Sequence, residues 1–164
     1  KQDVKIIEDV FSRKKGLLIV VNKWDLIEKD SKTSVIIENK ISEHLKSYNF
    51  LRFVFISALT KQRIHKVIEE AVSVYEERAK QIKTSALNEV MFDEIRKMPP
   101  PASRGKEIKI NYVTQLKHSP PVFGFFSNEP NLITENYKRY LEKKIREHFG
   151  FSGVPVSLVF KKKN

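Results

Sequence analysis

The run Leu17-Leu18-Ile19-Val20-Val21 stops without transition at Asn22-Lys23-Trp24-Asp25. A continuous apolar run rich in β-branched residues, with Gly16 before it, reads as a strand buried on both faces, as in parallel sheets. In open α/β sheets ligands bind at the carboxyl ends of such strands. Here that end carries an amide, a cation and a carboxylate. After one helical stretch comes a second apolar strand, Phe53 to Ile56, ending in Ser57-Ala58-Leu59. The helix after it sets Ile64, Val67, Ile68, Ala71, Val72 and Tyr75 at the spacing of a core-facing stripe. Strand, helix, strand, helix is the back half of a doubly wound α/β domain.

The two strand ends carry a specific chemistry. A carboxylate only accepts hydrogen bonds, so Asp25 can take both N1–H and the 2-amino group of guanine, a donor pair that adenine lacks on that edge. Lys23 can lay its stem along the base plane, and Asn22 can tie the neighbouring loops together. At Ser57-Ala58 the backbone N–H of Ala58 can donate to guanine O6. Asn-Lys-x-Asp, followed one β-α unit later by Ser-Ala-Leu, matches the order in guanine-nucleotide proteins. The ordinary alternative is two β-α turns that happen to spell these letters.

The remainder divides near Lys83. Before it, Val4 to Phe11 reads as the end of a helix with Ile6, Ile7 and Val10 on one side. A polar loop, Glu28 to Lys32, leads into a helix from Thr33 to Tyr48 with Ile37, Ile41 and Leu45 in one stripe. After it, Thr84 or Ser85 caps a helix with Leu87, Val90, Met91 and Ile95 buried, and Pro99-Pro100-Pro101 stops it. Glu107 to Gln115 alternates, with Ile108, Ile110 and Tyr112 on one face; Val122 to Phe126 is a short strand antiparallel to it. A helix from Thr134 to Phe149 turns Tyr137, Leu141, Ile145 and Phe149 inward, and Gly150 caps it. Val154, Val156, Leu158 and Phe160 alternate in a closing strand, where Pro155 marks an edge or a strand start. Residues 84–164 are therefore α-β-β-α-β, an α+β sandwich with its helices on one face of a three-stranded sheet, and residues 1–83 form the α/β half.

Charge follows the same division. Residues 78–164 hold 17 Lys and Arg against 8 Asp and Glu, whereas residues 1–77 hold 14 against 12. An excess confined to one half suits contact with a polyanion; the alternative is a lysine-rich but merely solvated surface. With no cysteine there is neither a disulfide nor a zinc–thiolate site. No apolar run is long enough to span a bilayer. A cytoplasmic protein with no membrane partner is expected. Opening on Lys1 in the middle of a helical pattern reads as a fragment.

Taken in order, Asn22-Lys23-Trp24-Asp25-Leu26, Phe55-Ile56-Ser57-Ala58-Leu59-Thr60 and Thr84-Ser85-Ala86-Leu87-Asn88 resemble the Der (EngA) family of bacterial GTPases. The likeness continues through Lys109-Ile110-Asn111-Tyr112-Val113-Thr114-Gln115, Pro120-Pro121-Val122-Phe123 and Tyr137-Lys138-Arg139-Tyr140-Leu141-Glu142 to Phe149-Gly150-Phe151-Ser152-Gly153-Val154. It implies the second half of the second G domain followed by a complete KH-like domain. It also implies GTP and GDP as ligands, GTP hydrolysis, and a monomer acting with ribosomal RNA in assembly of the large ribosomal subunit. Asn22, Lys23, Asp25, Ser57 and Ala58 are the nucleotide contacts that carry over. No Gly-x-x-x-x-Gly-Lys-Ser/Thr and no Asp-x-x-Gly ahead of Asn22 occur in this chain. Phosphate contacts and Mg²⁺ therefore belong to an intact G domain, and this chain holds no catalytic residue and should not hydrolyse GTP alone.

RNA contact would fall to Lys106, Lys109, Lys138, Arg139, Lys143, Arg146 and the tail Lys161-Lys162-Lys163. Gly150-Phe151-Ser152-Gly153 has the letters of a KH backbone clamp, but it lies between a helix and a strand and reads as a cap and turn. His44, His65, His118 and His148 show no ligand spacing, so no metal is expected. Tyr112, Phe123, Phe125 and Phe126 are candidates for a base-stacking sheet face, with core packing as the alternative. Trp24 is expected to pack beside the nucleotide loop. A different organisation also fits: a stand-alone RNA-binding module in which the α/β half is only scaffold.

Overall fold

The computed structural model describes residues 2–27, 32–45 and 50–162. Most of the polar loop, at 28–31, the end of the helix expected to run to Tyr48, and Lys163 lie outside the described residues. The chain forms two compact units: residues 1–77 with 151–155, and residues 78–150 with 156–164. No helix among the described residues is long and apolar enough to cross a membrane.

The first unit contains α1 (Gln2–Ser12), β1 (Leu18–Val21), α2 (Thr33–His44), β2 (Arg52–Phe55) and most of α3 (Ile64–Ala79). β1 and β2 pair in parallel, from Leu18 opposite Arg52 to Val21 opposite Phe55, with α2 as the crossover. Ile7 and Phe11 of α1 meet Leu45 in a small core, with Leu17, Ile19, Ile41 and Phe50 packed against them.

Burial in this unit departs from the sequence reading. β1 is only half-buried, with Val20 facing outward, and Ile6 of α1 is exposed. The α3 stripe does not face a core: Ile68 is 70% exposed and Tyr75 72%, Ile64 and Val72 are exposed as well, and Val74 is the residue the helix buries. The cause is width, because two strands offer too little area to cover every apolar side of the strands and helices packed on them.

Residues Phe151–Pro155 also belong to this unit. Gly153 accepts from the Leu17 N–H at 2.8 Å and donates its own N–H to the Phe50 carbonyl at 2.6 Å. Its φ is +73°, and a Cβ there would stand 2.8 Å from the Leu17 carbonyl oxygen, so only glycine fits. Phe151 is fully buried and Gly150 caps the preceding helix at φ 88°. The Gly-x-x-Gly string is a cap and turn whose backbone groups at Gly153 are already engaged.

The second unit contains α4 (Thr84–Lys97), β3 (Ile110–Lys117), β4 (Val122–Ser127), α5 (Glu135–Phe149) and β5 (Ser157–Lys162), in the order α-β-β-α-β. β4 is central, antiparallel to β3 and parallel to β5. Its core is apolar: Leu87, Met91, Val113, Phe123, Phe125, Leu141 and Ile145 have no exposure. The rings of Phe125 and Phe160 stack at 5.3 Å. Thr134 caps α5, its hydroxyl accepting from the Tyr137 N–H at 3.3 Å.

Three local readings change here. The N-cap of α4 is Lys83, without a side-chain hydrogen bond, and Thr84 is already helical. β3 does not keep one phase: a register shift between Ile110 and Tyr112 leaves Ile110 inward, turns Tyr112 outward and brings Val113 in. One extra residue at a bulge exchanges the two faces of everything beyond it. β5 starts at Ser157, after Pro155, so the buried Val154 lies outside the strand.

Candidate functional site

The ends of β1 and β2 meet. The Ile56 N–H donates to the Val21 carbonyl and the Trp24 N–H to the Ile56 carbonyl, both at 2.9 Å. Between these bonds the chain reverses at Lys23, which has left-handed backbone angles (φ 62°, ψ 34°) uncommon for a residue with a Cβ. Trp24 is buried, its ring 4.5 Å from that of Phe55, and it anchors the short 3-10 turn Trp24–Leu26 that carries Asp25. Trp24 packs beside the loop, as the sequence suggests.

Asn22 joins the two loops. Its Oδ1 accepts from the Lys23 N–H at 2.7 Å and from the Ala58 N–H at 3.0 Å. A side-chain amide oxygen thus occupies the donor expected to meet guanine O6, and that oxygen is chemically the same kind of carbonyl acceptor. Ser57 is fully buried; its Oγ accepts from the Thr60 N–H at 3.1 Å, and its N–H donates to the Gln62 carbonyl. Ser57 shapes the loop while Ala58 is presented at its surface. Asn22 and Lys23 are exposed and Asp25 is half-buried. The fold therefore gathers at neighbouring strand ends a carboxylate, a backbone donor and a bridging amide, the set that a planar base with adjacent donors and a carbonyl requires.

The basic residues of the second unit are less uniform than their charge suggests. Lys106 pairs with Glu129 at 2.6 Å, Lys109 with Glu107 at 3.1 Å, Lys138 with Glu135 at 2.6 Å and Lys143 with Glu147 at 3.7 Å. Arg146 is mostly buried against Glu142 at 3.0 Å, and burial pushes its pKa down. Arg139, Lys161 and Lys162 are exposed and form no salt bridge among the described residues, although Arg139 and Lys162 lie near enough to Glu135 and Glu129 to stabilise those carboxylates. These three are the cations best placed to meet a phosphate. Helix-turn spacing explains the pairs of Lys138, Lys143 and Arg146, since oppositely charged residues three or four apart on α5 face one another.

Two structural residues escape sequence reasoning. Glu94 sits on the buried side of α4, where Lys97 reaches it at 2.7 Å and Lys144 and His148 at 3.3 Å. The Lys97 hydrogen bond foremost, then those of Lys144 and His148, overcome burial and hold its carboxyl at about 2. Asn88 accepts from the Val113 N–H and donates to the Val113 carbonyl, sealing the outer edge of β3.

A family model described as KH-domain-like of EngA bacterial GTPase enzymes, C-terminal, matches residues 81–161. The chain is similar to the GTPase Der of Chloroherpeton thalassium, at 51% identity over 162 residues. It is also similar to those of Cytophaga hutchinsonii, at 49% over 162, and Prosthecochloris aestuarii, at 48% over 163. Each match covers 99% of this chain and 37% of the relative, so the chain spans little more than a third of their length.

Proposed function

Because this chain belongs to the Der (EngA) family and corresponds to the C-terminal part of its members, we propose that it serves a GTP-binding, GTP-hydrolysing protein of large-subunit ribosome assembly. Residues 1–83 supply the base-reading half of a G domain, and residues 84–164 supply a basic KH-like module that docks on ribosomal RNA. The observation that carries the nucleotide reading is the 3.0 Å bond between Ala58 N–H and Asn22 Oδ1, which locks two strand-end loops together. With guanine bound, Asp25 accepts from N1–H and the 2-amino group, Ala58 N–H turns to O6, and Lys23 covers the base with its stem. Phosphate and Mg²⁺ contacts come from the portion of the family's length that this chain does not span.

The exposed apolar stripe of α3 and the outward Val20 of β1 support a half-domain, since they are patterned as core and lack a cover among the described residues. Arg139, Lys161 and Lys162 support the RNA reading. In a Der protein of full family length bearing this chain, Asp25→Asn should weaken GTP binding and favour xanthosine nucleotides, because the amide offers a donor where guanine also donates. Unchanged guanine preference in a nucleotide competition assay would remove Asp25 from base recognition.

A further inference from the structure

The three-stranded sheet of the second unit is covered by helices on the side of Phe123 and Phe125; Lys138 of α5 lies over Phe160 on that side, 5.4 Å from its ring. The opposite face carries a transverse row, one residue from each strand. Tyr112 of β3 is opposite Phe126 of β4, and Phe126 is opposite Lys161 of β5. The two rings lie 5.8 Å apart at 51°, and Tyr112 is 42% exposed. Beyond this row Thr114 registers opposite Gly124, and Leu116 and Val159 add exposed apolar surface, Leu116 filling the space a Cβ at Gly124 would need. No acidic residue registers on this face among the described residues, and Lys161 has no carboxylate partner among them. Glu129, at the same end of the sheet, is taken up by Lys106.

We propose that this outer sheet face is a binding surface for single-stranded RNA, with bases stacking on Tyr112 and Phe126 and the backbone running past Lys161. The proposal rests on the RNA-docking reading above and deepens it. Aromatic side chains on adjacent strands give unpaired bases a flat apolar partner, whereas bases inside a duplex cannot reach them. Charge selects between occupants: a sheet face bordered by a cation and lacking any anion suits a polyanion, and two aromatic rings beside it suit one that carries exposed bases.

The test is fluorescence anisotropy of the full 164-residue chain with a short labelled uridine-rich RNA strand and, separately, a duplex RNA. Tyr112→Leu and Phe126→Leu keep apolar bulk and remove the ring, and each should lower single-strand affinity roughly tenfold. Duplex affinity should scarcely change. Tyr112→Trp should retain single-strand binding, and Lys161→Gln should weaken it chiefly at low salt. Backbone amide spectra matching the parent chain confirm that the variants fold. Unchanged affinity in both leucine variants, or a loss in Tyr112→Trp as large as in Tyr112→Leu, overturns the stacking surface while leaving RNA docking intact, and assigns the face to a protein partner. If the parent chain binds neither RNA, the docking reading falls and this inference with it.

Discussion

Asn88 is the side chain through which α4 closes the outer edge of β3, and removing it should unfold the second unit selectively. Its Oδ1 accepts from the Val113 N–H at 2.9 Å; its Nδ2 donates to the carbonyls of Val113 and Thr84, each at 2.7 Å. Val113 is fully buried, so in Asn88→Leu its two backbone groups lose their partner where water has poor access. Each orphaned group costs roughly 1–3 kcal/mol, giving about 2–6 kcal/mol for the pair. Added apolar contact from leucine returns about 1 kcal/mol. The expected net loss, about 1–5 kcal/mol, is a large part of the stability of a small domain. Urea titration of an isotope-labelled chain, followed at the Leu141 amide for the second unit and the Val54 amide for the first, separates the two. With a slope of about 1–3 kcal/mol per molar urea, the Leu141 midpoint should fall by roughly 1 M while that of Val54 stays in place. Asn88→Asp should also destabilise, because it turns a carboxylate toward the Val113 carbonyl. A Leu141 midpoint unmoved in Asn88→Leu would show that β3 holds its edge without the amide.

Gly153→Ala should destabilise the first unit by about 1–3 kcal/mol, since the residue has positive φ and its Cβ would crowd the Leu17 carbonyl; a midpoint unchanged at Val54 contradicts that. The Glu94 carboxyl is depressed from 4.5 to about 2 on folding, so its stabilisation is present above the unfolded value and lost as pH falls through the folded one. Acid titration of the second unit should therefore weaken it between these values, and Glu94→Gln should flatten the curve there. RNA binding through Arg139, Lys161 and Lys162 predicts a slope of about −2 in log affinity against log salt for single strands; a flat response removes phosphate contact as the source. In a Der protein of full family length, Asn22→Ala should raise the Kd for GDP roughly tenfold by loosening the Lys23 turn, whose N–H the Asn22 Oδ1 accepts at 2.7 Å, as measured by calorimetry.

The element order was legible because each helix and strand carries its own period. The six residues of the α3 stripe, the prolines after Met98 and the glycine after Phe149 all mark their elements. What was not legible depends on tertiary partners or on single-residue register. Nothing in Lys109-Ile110-Asn111-Tyr112 announces a bulge, yet one extra residue there exchanges Tyr112 and Val113 between core and surface. The Asn22–Ala58 bond was foreseeable because both residues lie at the carboxyl ends of strands joined by one crossover. Asn88 was not, because an amide inside a helix gives no hint that a strand edge will arrive opposite it. Glu94 breaks the apolar stripe of α4 for the same reason: its three partners, Lys97, Lys144 and His148, come from a neighbouring turn and from α5.

The departures in the two units differ in kind, and the difference bears on what the chain is. In the second unit an inward expectation fails at Tyr112 because of a local bulge, and the core around it is complete. In the first unit the failures run in one direction: Val20, Ile64, Ile68, Val72 and Tyr75 are all patterned for burial and all exposed. A single surface helix shows one apolar stripe because one side faces a core; α3 buries Val74 and also presents a second apolar side. Random surface drift would not place that side at helical spacing. The half-domain proposed above would account for it, since further strands beside β1 would cover Val20 and the Ile68 side of α3. Ile68→Lys should then be tolerated in this chain and damaging in a protein of full family length. Equal tolerance in both, read from thermal melting, would count against the half-domain.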